Sequence, residues 1–205
     1  MDSITTLVFQ LAILLMSVVI HEFAHGWAAF YLGDPTAKYY GRLTLNPIKH
    51  LDPFGSFIVP VLLVLFQSPV VFGWAKPVPF NPYNLIDQKY GPAKVAVAGP
   101  LANLAIALVF GLSLRFLSAS FLFSTGLEPI FGVIVFLNLL LAVFNLIPIP
   151  PLDGSKLLFA VLPASMDKTR MVLEQYGTIV LLFFIFFAFQ WIIPLIFWLS
   201  NLIVG

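Results

Sequence analysis

The 205-residue sequence contains no cysteine. Disulfides and thiolate chemistry are therefore excluded, and any metal must be held by imidazole and carboxylate. Charge is almost as scarce. Asp, Glu, Lys and Arg make up 9% of the chain against 60% apolar residues, and the mean hydropathy is +1.02. So few polar groups cannot cover a water-facing surface, which assigns the chain to a membrane. No run of basic residues occurs and the net charge is +1, so nothing is available to neutralise a phosphate backbone, and nucleic-acid binding is excluded. Internal repeats and low-complexity linkers are also missing, so a single domain over residues 1–205 is expected. Residues 1–3 carry no Lys or Arg and no small-residue cleavage site precedes His21, so the first apolar run is expected to stay as a membrane helix.

What the sequence does have is long apolar runs with punctuation. Residues 4–32 are long enough for a tilted span, and Gly33-Asp34-Pro35 reads as its stop. Residues 37–45 favour extended structure through Tyr39, Tyr40 and Thr44, giving a short β element at the membrane surface. Residues 54–72 are interrupted by Pro60, Gln67, Ser68 and Pro69. Lys38, Arg42 and Lys49 precede them and Lys76, Lys89 and Lys94 follow, so both flanks belong in the cytoplasm and a re-entrant hairpin is expected. Residues 95–117 and 129–147 form the next spans, joined by an external turn over 118–128. The last span covers residues 178–204, as one helix or as a span with a kinked, interfacial tail at Pro194. The expected fold is an all-α polytopic membrane protein with about four transmembrane helices, a re-entrant membrane hairpin and a short β element. The expected location is the cell membrane.

His21 and His25 are four residues apart on the first span, so both imidazoles lie on one helical face and reach one ion. Glu22 projects from the same turn without needing to be a ligand. It can take a proton from the attacking water and hand it to the leaving amine. Zinc suits this donor set, and two His with one carboxylate is a known way to fill three positions while leaving a fourth open. Among His50, Asp52, Asp87, Glu128 and Asp153, only Asp153 lies at the cytoplasmic end of a span, after Asn145-Leu146-Ile147-Pro148-Ile149-Pro150-Pro151-Leu152. The prolines free that backbone from helix and Gly154 permits a tight turn. The first and third spans both run from outside to inside, so His25 and Asp153 come to similar depth. Asn145 is a candidate for binding the developing oxyanion, with Asn103 or backbone donors as others.

Each assignment has a plainer competitor. Ionisable groups in a membrane span cost about 2.5–3.5 kcal/mol or more each, which leaves little room for a purely structural His-Glu-His cluster. Asp153 has helix capping as its competitor. Asn103 and Asn145 have interhelical hydrogen bonding. His50 reads as an interfacial loop residue and Lys76 as an interfacial anchor beside Trp74.

The stretches His21-Glu22-Phe23-Ala24-His25-Gly26, Gly99-Pro100-Leu101-Ala102-Asn103 and Asn145 to Gly154 resemble the site-2 protease family of intramembrane metalloproteases. Gly41-Arg42-Leu43-Thr44-Leu45-Asn46-Pro47 and Gly73-Trp74-Ala75-Lys76-Pro77-Val78-Pro79 are also similar. The resemblance implies one zinc ion on His21, His25 and Asp153, with Glu22 as base and Asn145 near the reacting carbonyl. It further implies Asn103 lining the site and a hairpin around Lys76 shaping substrate access. Its expected substrates are transmembrane proteins cut near the cytoplasmic side, such as an anti-sigma factor or a membrane-tethered regulator. Residues 118–128 and the short tail leave no room for the PDZ or CBS domains of many relatives, so a minimal catalytic core is expected. The rival functions are a zinc-binding membrane transporter, which needs ligands strung along a path through both leaflets, and an inactive scaffold.

Overall fold

The structure, a computed structural model, describes residues 3–68 and 70–205. Four helices among these residues are long and apolar enough to cross a membrane: α1 (Ser3–Tyr31), α4 (Gly91–Phe116), α6 (Leu127–Asn145) and α8 (Asp167–Phe187). Shorter helices are α2 (Thr36–Tyr39), α3 (Val59–Leu65), α5 (Ala119–Thr125), α7 (Asp153–Val161) and α9 (Ile193–Val204).

The central element is α4, which packs against α1, α6, α7 and α9. Its sequence explains why. Ala96, Gly99, Asn103, Ala107 and Gly111 recur at intervals of three or four and, with Pro100, are buried, so neighbouring helices approach its backbone closely, as small residues permit where lipid gives no hydrophobic drive. A side chain at Gly111 would collide with Ile203 of α9. Ala107, Val135, Leu139, Ile192, Ile196 and Ile203 form the apolar core between α4, α6 and α9.

The stop at Gly33 is observed. Gly33 has φ +105°, and the N–H groups of Gly33 and Asp34 close onto the carbonyls of Phe30 and Ala29, a Schellman cap. The short β element is not: no strand occurs among the described residues. Residues 36–39 form one helical turn, closed by Gly41 at φ +62° with Gly41 N–H on Lys38 O and Arg42 N–H on Ala37 O. Asp34 starts that turn by accepting from the Thr36 N–H and hydroxyl. Caps at both ends outweigh the weak β preference of Tyr39 and Tyr40.

Residues 53–80 run out and back. A π-helical stretch (Pro53–Ile58) begins where Asp52 accepts the N–H groups of Phe54 and Gly55, and it continues into α3. The chain reverses at Gln67, φ 51°. It returns extended, with Trp74 N–H on Gly55 O (3.1 Å) and Lys76 N–H on His50 O (2.8 Å). Pro69, counted among the interruptions of this run, lies outside the described residues. Gly55 is glycine because the Trp74 ring sits where a side chain would project.

Two boundaries differ from expectation. The 118–128 turn contains α5, begun by Ser118 accepting from Phe121 N–H and ended by Gly126 at φ 67°. The final run is divided: α8 begins at Asp167, and a short turn (Phe189–Trp191) separates it from α9, with Pro194 in the first turn of α9 rather than kinking a continuous helix.

Asp34 ties the end of α1 to the return segment. It is fully buried and accepts from Thr36, from Asn81 N–H (2.6 Å) and from the Asn84 amide (2.8 Å). Burial alone would raise its pKa, but the bonds from Thr36, Asn84 and the Asn81 and Thr36 backbone together hold the carboxyl below its ordinary 3.8. The stabilisation is therefore present above that value and lost as pH falls through the native pKa. Asp34→Asn points a donor at donors and is expected to destabilise the chain by about 1–3 kcal/mol at neutral pH. Thermal unfolding from about pH 7 to about pH 3 should show a steeper acid loss for the wild type than for the variant; parallel curves would contradict this assignment.

Candidate metal centre

Three side chains from two distant parts of the sequence converge. On α1, His21 and His25 bring their Nε2 atoms to 3.0 Å of each other, rings edge to face at 86°. Asp153, the first residue of α7, places Oδ2 3.1 Å from His21 Nε2 and 3.2 Å from His25 Nε2. The irregular 146–152 segment returns the chain to α1. Gly154 serves this return by having no side chain where the Leu146 and Ile147 carbonyls pass, and not by a left-handed turn, since it lies in the first turn of α7. Asp153 makes no capping bond to its own helix.

Hydrogen bonding fixes which nitrogen of each ring is free. Asn138 Nδ2 donates to Ile134 O and to Ser17 Oγ, both at 2.9 Å. Asn103 Nδ2 donates to Ser17 O (3.2 Å) and to Asn138 Oδ1 (2.8 Å). The Ser17 and Ile134 carbonyls can only accept, so both amides have one allowed orientation. Asn103 Oδ1 then faces His21 and accepts from Nδ1–H at 2.5 Å. His25 Nδ1–H donates to Val95 O at 2.8 Å, beside the gap that Pro100 leaves in the α4 ladder. In the neutral rings each Nε2 therefore carries a lone pair.

Two imidazole lone pairs and a carboxylate oxygen, 3.0–3.2 Å apart, repel one another unless a cation sits among them. Ligand atoms about 2.0–2.1 Å from a tetrahedral zinc lie about 3.3 Å apart, so the donor set and its spacing fit zinc. Gly99 of α4 faces the same point: a Cβ there would lie 2.5 Å from His25 Nε2 and 2.6 Å from His21 Nε2. Outer partners on both Nδ1 atoms are what a metal-binding histidine pair needs.

Glu22 stands outside this cluster. Its Oε2 accepts from the Val78 N–H at 2.8 Å, in the returning segment. Asn103 reaches the site only through His21, because both its N–H groups are engaged and none is left for an oxyanion. Asn145 donates to Leu141 O (2.9 Å) on its own helix, and no hydrogen bond among the described residues joins it to the cluster. His50 reads from the sequence as an interfacial loop residue outside the site. It is fully buried, with Nε2–H on Thr44 O (2.9 Å), and it takes no part in the cluster. Asp52 caps a helix and Asp87 pairs with Lys94 at 2.8 Å.

Ser17 and Asn138 are the participants that sequence reasoning passed over, while Gly99 and Val78 lay in the family-like stretches without a role of their own. Asn138 had a readable signal: it is the polar residue two turns before Asn145 in an apolar span. Val78 acts through its backbone, which leaves no mark in side-chain chemistry.

Comparison with known proteins gives one family. The sequence profile of Peptidase family M50 matches residues 9–189. The chain is similar to "Putative zinc metalloprotease YwhC" of Bacillus subtilis (strain 168), 40% identical over 177 residues, covering 82% of this chain and 76% of that protein. It is also similar to "Putative zinc metalloprotease Rip2" of Mycolicibacterium smegmatis, 31% identical over 191 residues, 91% of this chain and 71% of that one. No solved structure matches.

Asn138→Leu should release the Asn103 amide and, through it, the His21 ring. Zinc affinity, measured by competition with a chromophoric chelator, is expected to fall about 10- to 100-fold with the helical content retained. An unchanged affinity would remove Asn138 from the site.

Proposed function

The chain belongs to Peptidase family M50 and is a zinc metalloprotease, and we propose that it hydrolyses peptide bonds inside the transmembrane segments of other membrane proteins. The observation that carries this reading is the His21, His25 and Asp153 cluster with Glu22 on the same helical turn but outside the ligand set, set among four apolar helices.

In this reading His21, His25 and Asp153 hold the ion and Glu22 moves the proton. Zinc, when bound, polarises the scissile carbonyl and makes water more acidic. Glu22 accepts the water proton as the new carbon–oxygen bond forms, then delivers it to the amine nitrogen as the carbon–nitrogen bond breaks. Asn145 keeps one amide hydrogen for the developing oxyanion. The substrate helix must unwind locally, since its own hydrogen bonds shield its carbonyls. Residues 53–80 re-enter the membrane beside the site and shape access to it.

Charge supports the orientation. Every Lys and Arg except Arg115 falls outside the spans at the end where α1 finishes and α4 begins, or in the first turns of the helices there. The metal cluster is therefore assigned toward the cytoplasm of a cell-membrane protein, and a membrane-tethered regulator or anti-sigma factor is the fitting substrate class. A transporter would spread its ligands along a path, whereas here they meet within 3.2 Å.

Purified protein in detergent or liposomes should cut at least one of a panel of tagged single-span substrates. Glu22→Gln should lower the rate about 10²- to 10⁴-fold while zinc content stays the same, and chelation should abolish cleavage. Full zinc content with Glu22-independent rates would contradict the assignment.

A further inference from the structure

Glu22 needs a defined orientation for its task, and nothing on its own helix supplies one. The bond it makes is to a backbone donor 56 residues away, Val78 N–H to Oε2 at 2.8 Å. Val78 is flanked by Pro77 and Pro79, neither of which has an N–H, so it holds the single backbone donor of that tripeptide. Pro79 also restricts Val78 to extended backbone, and Pro77 does the same to Lys76. The donor is thus carried on a stiff stretch of chain.

This stretch is fixed at three further points. The Val78 side chain is buried and rests on Gly26, where an added Cβ would lie 3.0 Å from Val78 Cγ1. Gly26 is four residues after Glu22, so the seat and the bonded carboxylate share one face of α1. Upstream, Lys76 N–H holds His50 O at 2.8 Å; downstream, Asn81 N–H holds Asp34 Oδ2 at 2.6 Å. The N–H is anchored from both directions and from below.

We propose that the Pro77-Val78-Pro79 clip is the positioning element of the catalytic base: its one N–H holds Oε2 of Glu22 so that the other carboxylate oxygen faces the metal site. The proposal rests on the protease assignment of Glu22. A charge-assisted bond to one oxygen selects a single rotamer while leaving the second oxygen free to exchange a proton. The competing explanation is that Glu22 merely satisfies a buried backbone donor, as any such group requires. The two differ in what the loss of the N–H would do. A donor that only needed satisfying affects folding; a donor that aims the base affects turnover.

The test replaces Val78 with its α-hydroxy acid analogue, which converts the amide to an ester and deletes the N–H without altering the side chain. The same exchange at Ile86, whose N–H bonds Leu32 O at 3.0 Å, controls for loss of a backbone bond. The expected result is a kcat about 10- to 100-fold lower for the Val78 ester, with KM, zinc content and helical content as in the wild type, and no such fall for the Ile86 ester. A Val78 ester with wild-type kcat per bound zinc overturns the proposal, as does an equal fall in both esters. Melting temperatures of the Val78 ester, Glu22→Ala and the double variant test whether the bond exists at all: additive losses overturn the proposal, and coupled losses with a wild-type kcat for the Val78 ester overturn it in favour of a merely satisfied donor. Failure of the protease assignment shows separately, as a zinc-loaded wild type that cuts no substrate.

Discussion

Two neutral imidazole nitrogens and a carboxylate oxygen within 3.2 Å of one another repel unless a cation lies among them, and much of the architecture follows from keeping them together. The Nε2 atoms of His21 and His25 and an oxygen of Asp153 are brought together only because each is bound from behind. Both Nδ1 positions donate to fixed acceptors, so neither ring can turn its proton inward to ease the repulsion. The bonds behind the rings thus aim the donor atoms at one point, as a metal site requires.

Organisation of that kind has to be held by something, and here the holding is done by buried amides. Ser17 on α1, Asn103 on α4 and Asn138 on α6 are all fully buried, and they close a network across three spans. Each polar group that would be costly in hydrocarbon finds a partner in another, so the network unites the helices and orients His21 with the same bonds. The small residues of α4 have a similar double effect. Gly99 and Gly111 let α1 and α9 approach α4, and the first of these approaches is also what leaves room at the histidine nitrogens.

Legibility in the sequence followed the kind of force involved. The His21-Glu22-His25 face was plain because helical spacing alone puts the rings together. Asp153 was reached by topology: two spans of the same direction end at one depth, and the prolines after Asn145 end the second helix. The helix stop at Gly33 was clear because a glycine there has one natural use. Tyr39 and Tyr40 misled because their β preference is small beside the caps at Asp34 and Gly41, which sit just outside the stretch being weighed. Asn138 is hard to single out because an amide within an apolar span is ordinarily an interhelical hydrogen-bonding group. The role of Val78 could not be read from side-chain types at all, although the prolines on either side of it had already reduced that stretch to one backbone donor.

The two sides of the site are held by different means, and the difference bears on how a hydrolase can work within lipid. On the side of α1, α4, α6 and α7, ligand atoms are fixed by buried amides and close helix contact, as a metal site requires. On the other side, the 53–80 excursion presents Phe54, Phe57, Val61, Val64, Leu65 and Phe66 outward and is tied down by single backbone bonds at Trp74, Lys76, Val78 and Asn81. A segment with few buried apolar contacts and isolated hydrogen bonds opens at lower free energy than the core of a bundle. Under the proposed function substrate and water have to reach the site, and the weaker wall, which carries no metal ligand, is the one fitted to yield. All three metal-facing atoms lie on helices, and the excursion contributes only a bond to Glu22, the group proposed to move the proton.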